Sequence, residues 1–261
     1  MTRSAGRACA GFTLFELAIA LFLMALLFGS VFVPLQMKVD IHKVEQTEVL
    51  LEKARDALLG YAATHGHFPC PADAASGGQE AAGSEHGTGV CPAYHGFLPA
   101  VALGLTAPDV SGYALDAWGS GANRIRYAVA SQSVGSASNT NAFTRVNGMR
   151  AAGISTLSDT ALSLFHVCGS GKGVSAGVSC GSALTLVSTA PVMIWSVGPN
   201  AATGGTSVDE AQNPNPNGGS ADRIFVSRAR SGVAGNEFDD ILGWIPMTIL
   251  VGRMVAAGQL P

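Results

Sequence analysis

Charge is sparse in this chain: Asp, Glu, Lys and Arg make up 13% of its 261 residues, 15 basic against 18 acidic. With no Lys or Arg cluster there is no electrostatic footprint for nucleic acid, and no polyanionic tail is present either. From Leu17 to Leu35 charge is missing altogether, over a length that suits a hydrocarbon core of about 30 Å. The small-residue cleavage pattern that ends a secretory signal is also missing, since residues 29–37 read Gly-Ser-Val-Phe-Val-Pro-Leu-Gln-Met. Catalytic signatures are scarce: there is no H-E-x-x-H and no dinucleotide fingerprint. Gly169-Ser-Gly-Lys-Gly173 has the outline of a phosphate loop, but His166 stands where its first Gly is required and Gly173 where Ser or Thr is required. The expectation is therefore a protein that is not an enzyme.

Against these absences, Glu16 stands out at the head of the apolar run. A carboxylate in a bilayer costs roughly 2.5–3.5 kcal/mol even on the lenient insertion scale, so it calls for a partner. Residues 1–11 carry Arg3 and Arg7 and no acid, which holds them on the cytoplasmic side and sends the rest outward. A cut between Gly11 and Phe12 would give Phe12 an α-ammonium one helical turn from Glu16, or facing the Glu16 of a neighbouring subunit. On hydropathy alone the rival reading is a plain uncleaved anchor.

Gly11-Phe12-Thr13-Leu14-Phe15-Glu16-Leu17, followed by Ala18-Ile19-Ala20-Leu21, resembles the prepilin signature of type IV pilins and type II secretion pseudopilins. That resemblance implies a leader at 1–11 removed by prepilin peptidase, with Gly11 its last residue, and N-methylation of the new first residue Phe12. It makes Glu16 the assembly carboxylate and Pro34 the position of a helix kink. It further implies a single-pass protein of the bacterial inner membrane, its N-terminus cytoplasmic, its span at about 12–35 and its C-terminal domain periplasmic. The implied partners are other pilin or pseudopilin subunits and inner-membrane lipid, with no nucleic acid. Size favours a minor subunit of a type IV pilus or pseudopilus; the alternative is a membrane-anchored periplasmic module that uses the same scaffold for binding or adhesion. Asp116-Ala-Trp-Gly119 and Asn236-Glu-Phe-Asp-Asp-Ile-Leu-Gly-Trp-Ile-Pro246 are similar to the segments that open and close the pseudopilin sheet. In major pseudopilins acidic residues near the second segment help bind calcium, and Asp239, Asp240 and Asp209 or Asp222 offer hard oxygen ligands here. No resident cofactor beyond that is expected.

The remaining pattern predicts an α+β fold. Val39, Val44, Leu50, Leu51, Ala54, Leu58 and Tyr61 recur at three-, four- or seven-residue steps among charged residues, so one helix over 12–65 continues beyond the apolar run, with Gly60 and Gly66 as candidate stops. Residues 66–261 form a β-rich domain. Alternation in Ile125, Tyr127 and Val129 predicts a strand, and further strands are expected at 162–167, 183–188, 191–198 and 223–227. A last helix follows Pro246 and stops at Gly258. Residues 131–142 read as a surface loop. With Cys9 assigned to the leader, Cys70, Cys91, Cys168 and Cys180 make two sequence-local pairs suited to disulfides in an oxidising compartment, although sequence does not fix the pairing. A zinc set drawn from His65, His67, Cys70, Cys91 and His95 is the competing reading. Its spacing matches no compact ligand pattern, so no metal site is expected.

Overall fold

The computed structural model describes residues 13–106, 109–119, 121–135, 140–175, 177–203, 205–213 and 223–261, with the side chains of 29–37 also outside the described set. The leader, the Gly11–Phe12 junction, the Pro34 ring and Asp222 therefore lie outside the described residues. The chain divides into two compact units, Met1–Lys43 and Val44–Pro261. A single helix, α1 (Leu14–His65), belongs to both.

In the first unit every described side chain from 13 to 28 is exposed, including Leu14, Phe15, Phe22 and Leu27 at 86%, 74%, 64% and 67%. Among the described residues no helix is long and apolar enough to cross a membrane. The expected span of 12–35 runs at both ends into residues outside the described set.

In the second unit α1 buries one stripe: Thr47, Leu51, Ala54, Leu58 and Ala62 are all at 4% exposure or less. Their steps of four, three, four and four keep them on one face. The helix stops at Gly66, not Gly60. Gly66 takes φ +77°, and its amide returns to the Ala62 carbonyl at 2.8 Å, the left-handed cap that glycine adopts without steric cost. Pro69 and Pro71 then bar resumption of the helix.

Among the described residues seven strands follow: β1 (His95–Phe97), β2 (Arg126–Val129), β3 (Phe165–Cys168), β4 (Thr185–Ala190), β5 (Val192–Ser196), β6 (Ile224–Val226) and β7 (Ile241–Ile245). Four of them form an antiparallel sheet in the order β1-β2-β5-β7. All five β5 residues are buried, as suits a central strand covered on both faces. A second sheet, β4-β3-β6, pairs β3 with β4 antiparallel and with β6 in parallel. Aromatic rings join the two sheets, with Trp195 of β5 edge-on to Phe225 of β6 at 5.0 Å and Phe225 edge-on to Phe165 of β3 at 5.5 Å. Helices α2 (Gly148–Ala152) and α3 (Ile154–Leu157) precede β3, and α4 (Met247–Ala256) closes the chain and buries Leu250 and Met254. The α+β class expected from sequence is the one found.

Several details differ from expectation. β1 precedes the strand expected to come first. Val134 and Ala142, in the segment read as surface loop, are both at 0% exposure and join the core. The parallel β3–β6 pair was not anticipated, because local alternation does not reveal strand direction.

The disulfides are Cys70–Cys91 and Cys168–Cys180, each with Cα atoms 5.5 Å apart. The second closes a turn where, among the described residues, the buried apolar cluster is small: the two cysteines and Ile224, with Val174 and Ala183 partly buried against them. Replacing Cys168 and Cys180 by alanine is expected to lower stability by about 3 kcal/mol, the loop-closure value for that separation. Denaturant unfolding of the full chain checks it, and a loss under about 1 kcal/mol would mean that the strands alone hold the turn.

Candidate functional site

The start of α1 is a reciprocal cap. Thr13 N and Thr13 Oγ1 donate to Glu16 Oε2 at 3.0 and 2.9 Å, while Glu16 N donates to Thr13 Oγ1 at 3.3 Å. This is the Thr-x-x-Glu capping box, which satisfies amides that the first helical turn leaves unpaired. Glu16 thus has an intrachain role that the sequence reading missed, although Thr13-Leu-Phe-Glu16 carried the signal. Around that carboxylate the exposed surface is apolar on all sides of the helix, from Leu14 to Phe28. Monomeric soluble proteins rarely show such a patch, which marks contact with protein or lipid.

A second cluster forms where α1 ends. Tyr61 stacks on His65 at 4.0 Å between ring centres, and His67 stacks on His86 at 4.1 Å. Glu80 collects Tyr61 Oη at 3.2 Å, the Cys70 amide at 2.8 Å and His86 Nε2 at 2.8 Å. His86 Nδ1 lies 2.9 Å from the Thr144 carbonyl. The bond to Glu80 raises the His86 pKa despite burial. Burial opposes the Glu80 charge, but His86 and the Cys70 amide bring its pKa below the usual range. Burial lowers the His67 pKa. Of the sequence-derived zinc candidates, His65, His67, Cys70 and Cys91 are neighbours of this cluster. His95 is elsewhere, packed on Phe165 and Phe225 at 5.5 and 6.0 Å. Glu80 and His86 were overlooked because the stretch around them is small and polar.

The third cluster is the acidic corner before β7. Asp209 does not fit a calcium ion: one oxygen accepts Ser170 Oγ at 2.9 Å and the Gly171 amide at 2.7 Å, and the other pairs with Arg228 at 2.5 Å. Asp240 accepts the Asn213 amide at 2.6 Å. Asp239 Oδ1 and Glu210 Oε2 are buried without a hydrogen bond, but among the described residues no three ligand-type side chains gather in this corner. Gly198 makes room for Asp239, since its φ is +66° and a Cβ there would meet Asp239 Oδ1 at 2.5 Å. Burial and then Glu210 raise the Asp239 pKa to about 6, and burial raises Asp240 to about 7.

Gly173-Val-Ser-Ala-Gly177 has the G-x-S-x-G outline of a nucleophile elbow. It lies in the turn closed by Cys168–Cys180, where the Ser175 amide pairs with the Ser179 carbonyl at 3.0 Å. That is not the strand-to-helix turn a nucleophile elbow requires.

Residues 6–32 match the prokaryotic N-terminal methylation motif. The motif is consistent with a type IV pilin-like or pseudopilin-like protein, and it points to a structural role. It contains the capping box and the exposed apolar start of α1. No curated protein and no solved structure matches the chain.

Proposed function

We propose that this chain is a structural subunit, minor by its size, of a type IV pilus or type II secretion pseudopilus. In this reading prepilin peptidase removes residues 1–11, Phe12 becomes the methylated N-terminus, and the apolar start of α1 sits in the inner membrane with the second unit in the periplasm. Assembly moves that segment from lipid to the α1 helices of other subunits, and Pro34 provides the bend. The observation that carries the reading is the apolar exposure of residues 13–28 around one carboxylate, inside the methylation motif. Both surroundings satisfy such a surface, whereas water does not.

Intact-mass measurement of the protein extracted from membranes tests it. The expected mass lacks residues 1–11, carries one added methyl, and lacks four hydrogens for the two disulfides. The uncut mass would favour the plain anchor. The capping box supplies a sharper variant. Glu16→Gln keeps a side chain able to cap Thr13 but removes the charge, so helix start and processing are expected to persist while fibre incorporation falls. Thr13→Ala removes the cap and keeps the charge, and is expected to incorporate. Normal incorporation of Glu16→Gln would overturn pairing of Glu16 with an N-terminal ammonium.

A further inference from the structure

The loop between Cys70 and Cys91 holds more ligand chemistry than its disulfide uses. Cys70 Sγ, a Glu80 carboxylate oxygen and a His86 ring nitrogen all lie within 4.8 Å of one another, and Cys91 Sγ is bonded to that of Cys70. Tetrahedral zinc, with bonds of about 2.0–2.3 Å, sets its donors about 3.3–3.8 Å apart, so shifts of about 1 Å bring the first three to that geometry, and reduction of the S–S bond frees Cys91 Sγ beside them as the fourth donor.

The surroundings are those of a prepared site. His86 Nδ1 faces the Thr144 carbonyl at 2.9 Å and Nε2 faces Glu80 Oε2 at 2.8 Å. Both ring nitrogens meet acceptors, which favours the doubly protonated ring, and its proton between Nε2 and the carboxylate stands where a cation would bridge them. A backbone carbonyl on the far nitrogen is the usual means of fixing a ligating imidazole. Glu80 is fixed in turn by the Cys70 amide and the Tyr61 hydroxyl. The His86 and Glu80 side chains are 23% and 19% exposed, which leaves an ion a way in. Among the described residues no third ligand-type side chain gathers in this way at Cys168–Cys180.

We propose that the dithiol form of the Cys70–Cys91 pair binds one zinc ion through Cys70, Cys91, His86 and Glu80, so the loop has two alternative staples, a metal in the reduced chain and a disulfide in the oxidised one. A dithiol reductant supplies two electrons, leaving two cysteine thiols and becoming a disulfide itself. The entering Zn²⁺ displaces both thiol protons and the Nε2 proton of His86. Three protons leave and the site carries one negative charge.

The test is metal titration of the full chain in detergent, reduced with a dithiol and freed of it under inert gas, with Co²⁺ as the optical probe and Zn²⁺ as competitor. The expected result is one Co²⁺ per chain with a thiolate-to-cobalt charge-transfer band, lost when one equivalent of Zn²⁺ is added, and no band in the oxidised chain. The Cys168→Ser/Cys180→Ser chain is expected to keep the band. His86→Ala and Glu80→Gln are each expected to weaken binding about 10-fold or more, at least the loss that follows removal of an outer-shell partner. Absence of the band from the reduced chain would overturn the proposal. So would unchanged affinity in both His86→Ala and Glu80→Gln, because two thiols would then be collecting metal without this corner.

Discussion

Asp116→Ala is expected to destabilise the second unit by about 3–5 kcal/mol, the cost of breaking a buried polar network. Asp116 is 4% exposed, and three donors converge on its carboxyl group: Ser196 Oγ at 2.5 Å, Asn123 Nδ2 at 3.0 Å and the Trp118 amide at 2.9 Å. An acceptor-only side chain is what such a site requires. Asn123 Nδ2 also reaches the Gly198 carbonyl at 2.6 Å, and the neighbouring Ala117 amide donates to Thr47 Oγ1 of α1 at 3.2 Å. One side chain therefore ties the turn before β2 to the end of β5 and sits beside the anchor of that turn on the helix. Alanine leaves buried donors without an acceptor and opens a space between these elements. Asp116→Asn retains one acceptor oxygen but turns an amide toward a donor, so its loss should be smaller. Denaturant unfolding followed by tryptophan fluorescence reads both variants. A loss below about 1 kcal/mol for alanine would mean that water already satisfies these donors.

Much of this network was out of reach of sequence reasoning. Asp116-Ala-Trp-Gly119 was legible as a segment that opens a sheet, but its partner Ser196 is eighty residues away, and local pattern says nothing about such a meeting. The distal half of α1 was legible because its apolar residues repeat at helical spacing, and its end only as far as a choice between Gly60 and Gly66, which the left-handed cap at Gly66 decides. β2 and β5 announced themselves by alternation and by continuous apolarity. β1, only His95-Gly96-Phe97, is too short to show a period, and it exists because Tyr127 and its neighbours offer a free edge. The parallel pairing of β3 with β6 depends on a chain path that crosses β4 and β5. The sites divide in the same way. Thr13 and Glu16 sit three residues apart and could be read, whereas the meeting of Glu80 and His86 with Cys70 depends on how the loop folds back under the disulfide.

Asp240→Asn is expected to stabilise the protein at pH 8 by up to about 4 kcal/mol and to have little effect at pH 4, because an ionisation moved from 3.8 to about 7 is worth that much. The folded state holds a proton on Asp240 that the unfolded chain releases above pH 4, so the native protein loses stability as pH rises from about 4 to about 7. Burial is the main cause; the Asn213 hydrogen bond acts in the opposite direction, and the nearby charges of Asp239 and Glu210 add smaller upward shifts. Asparagine preserves the shape and an acceptor for Asn213 while removing the charge, so the variant's melting curve should lose this part of the pH dependence. A calcium ion held by Asp239 and Glu210 gives the opposite sign. The added positive charge would favour ionised Asp240 beside it, millimolar calcium would raise the melting temperature of the native chain at pH 8, and Asp240→Asn would lose part of that gain. Melting both proteins at pH 4 and pH 8, with calcium and with a chelator, separates the two cases. A native chain insensitive to calcium whose Asp240→Asn variant melts higher only at pH 8 assigns the corner to a proton, because a cation that neutralised Asp239 and Glu210 would have removed the repulsion that makes Asp240 costly.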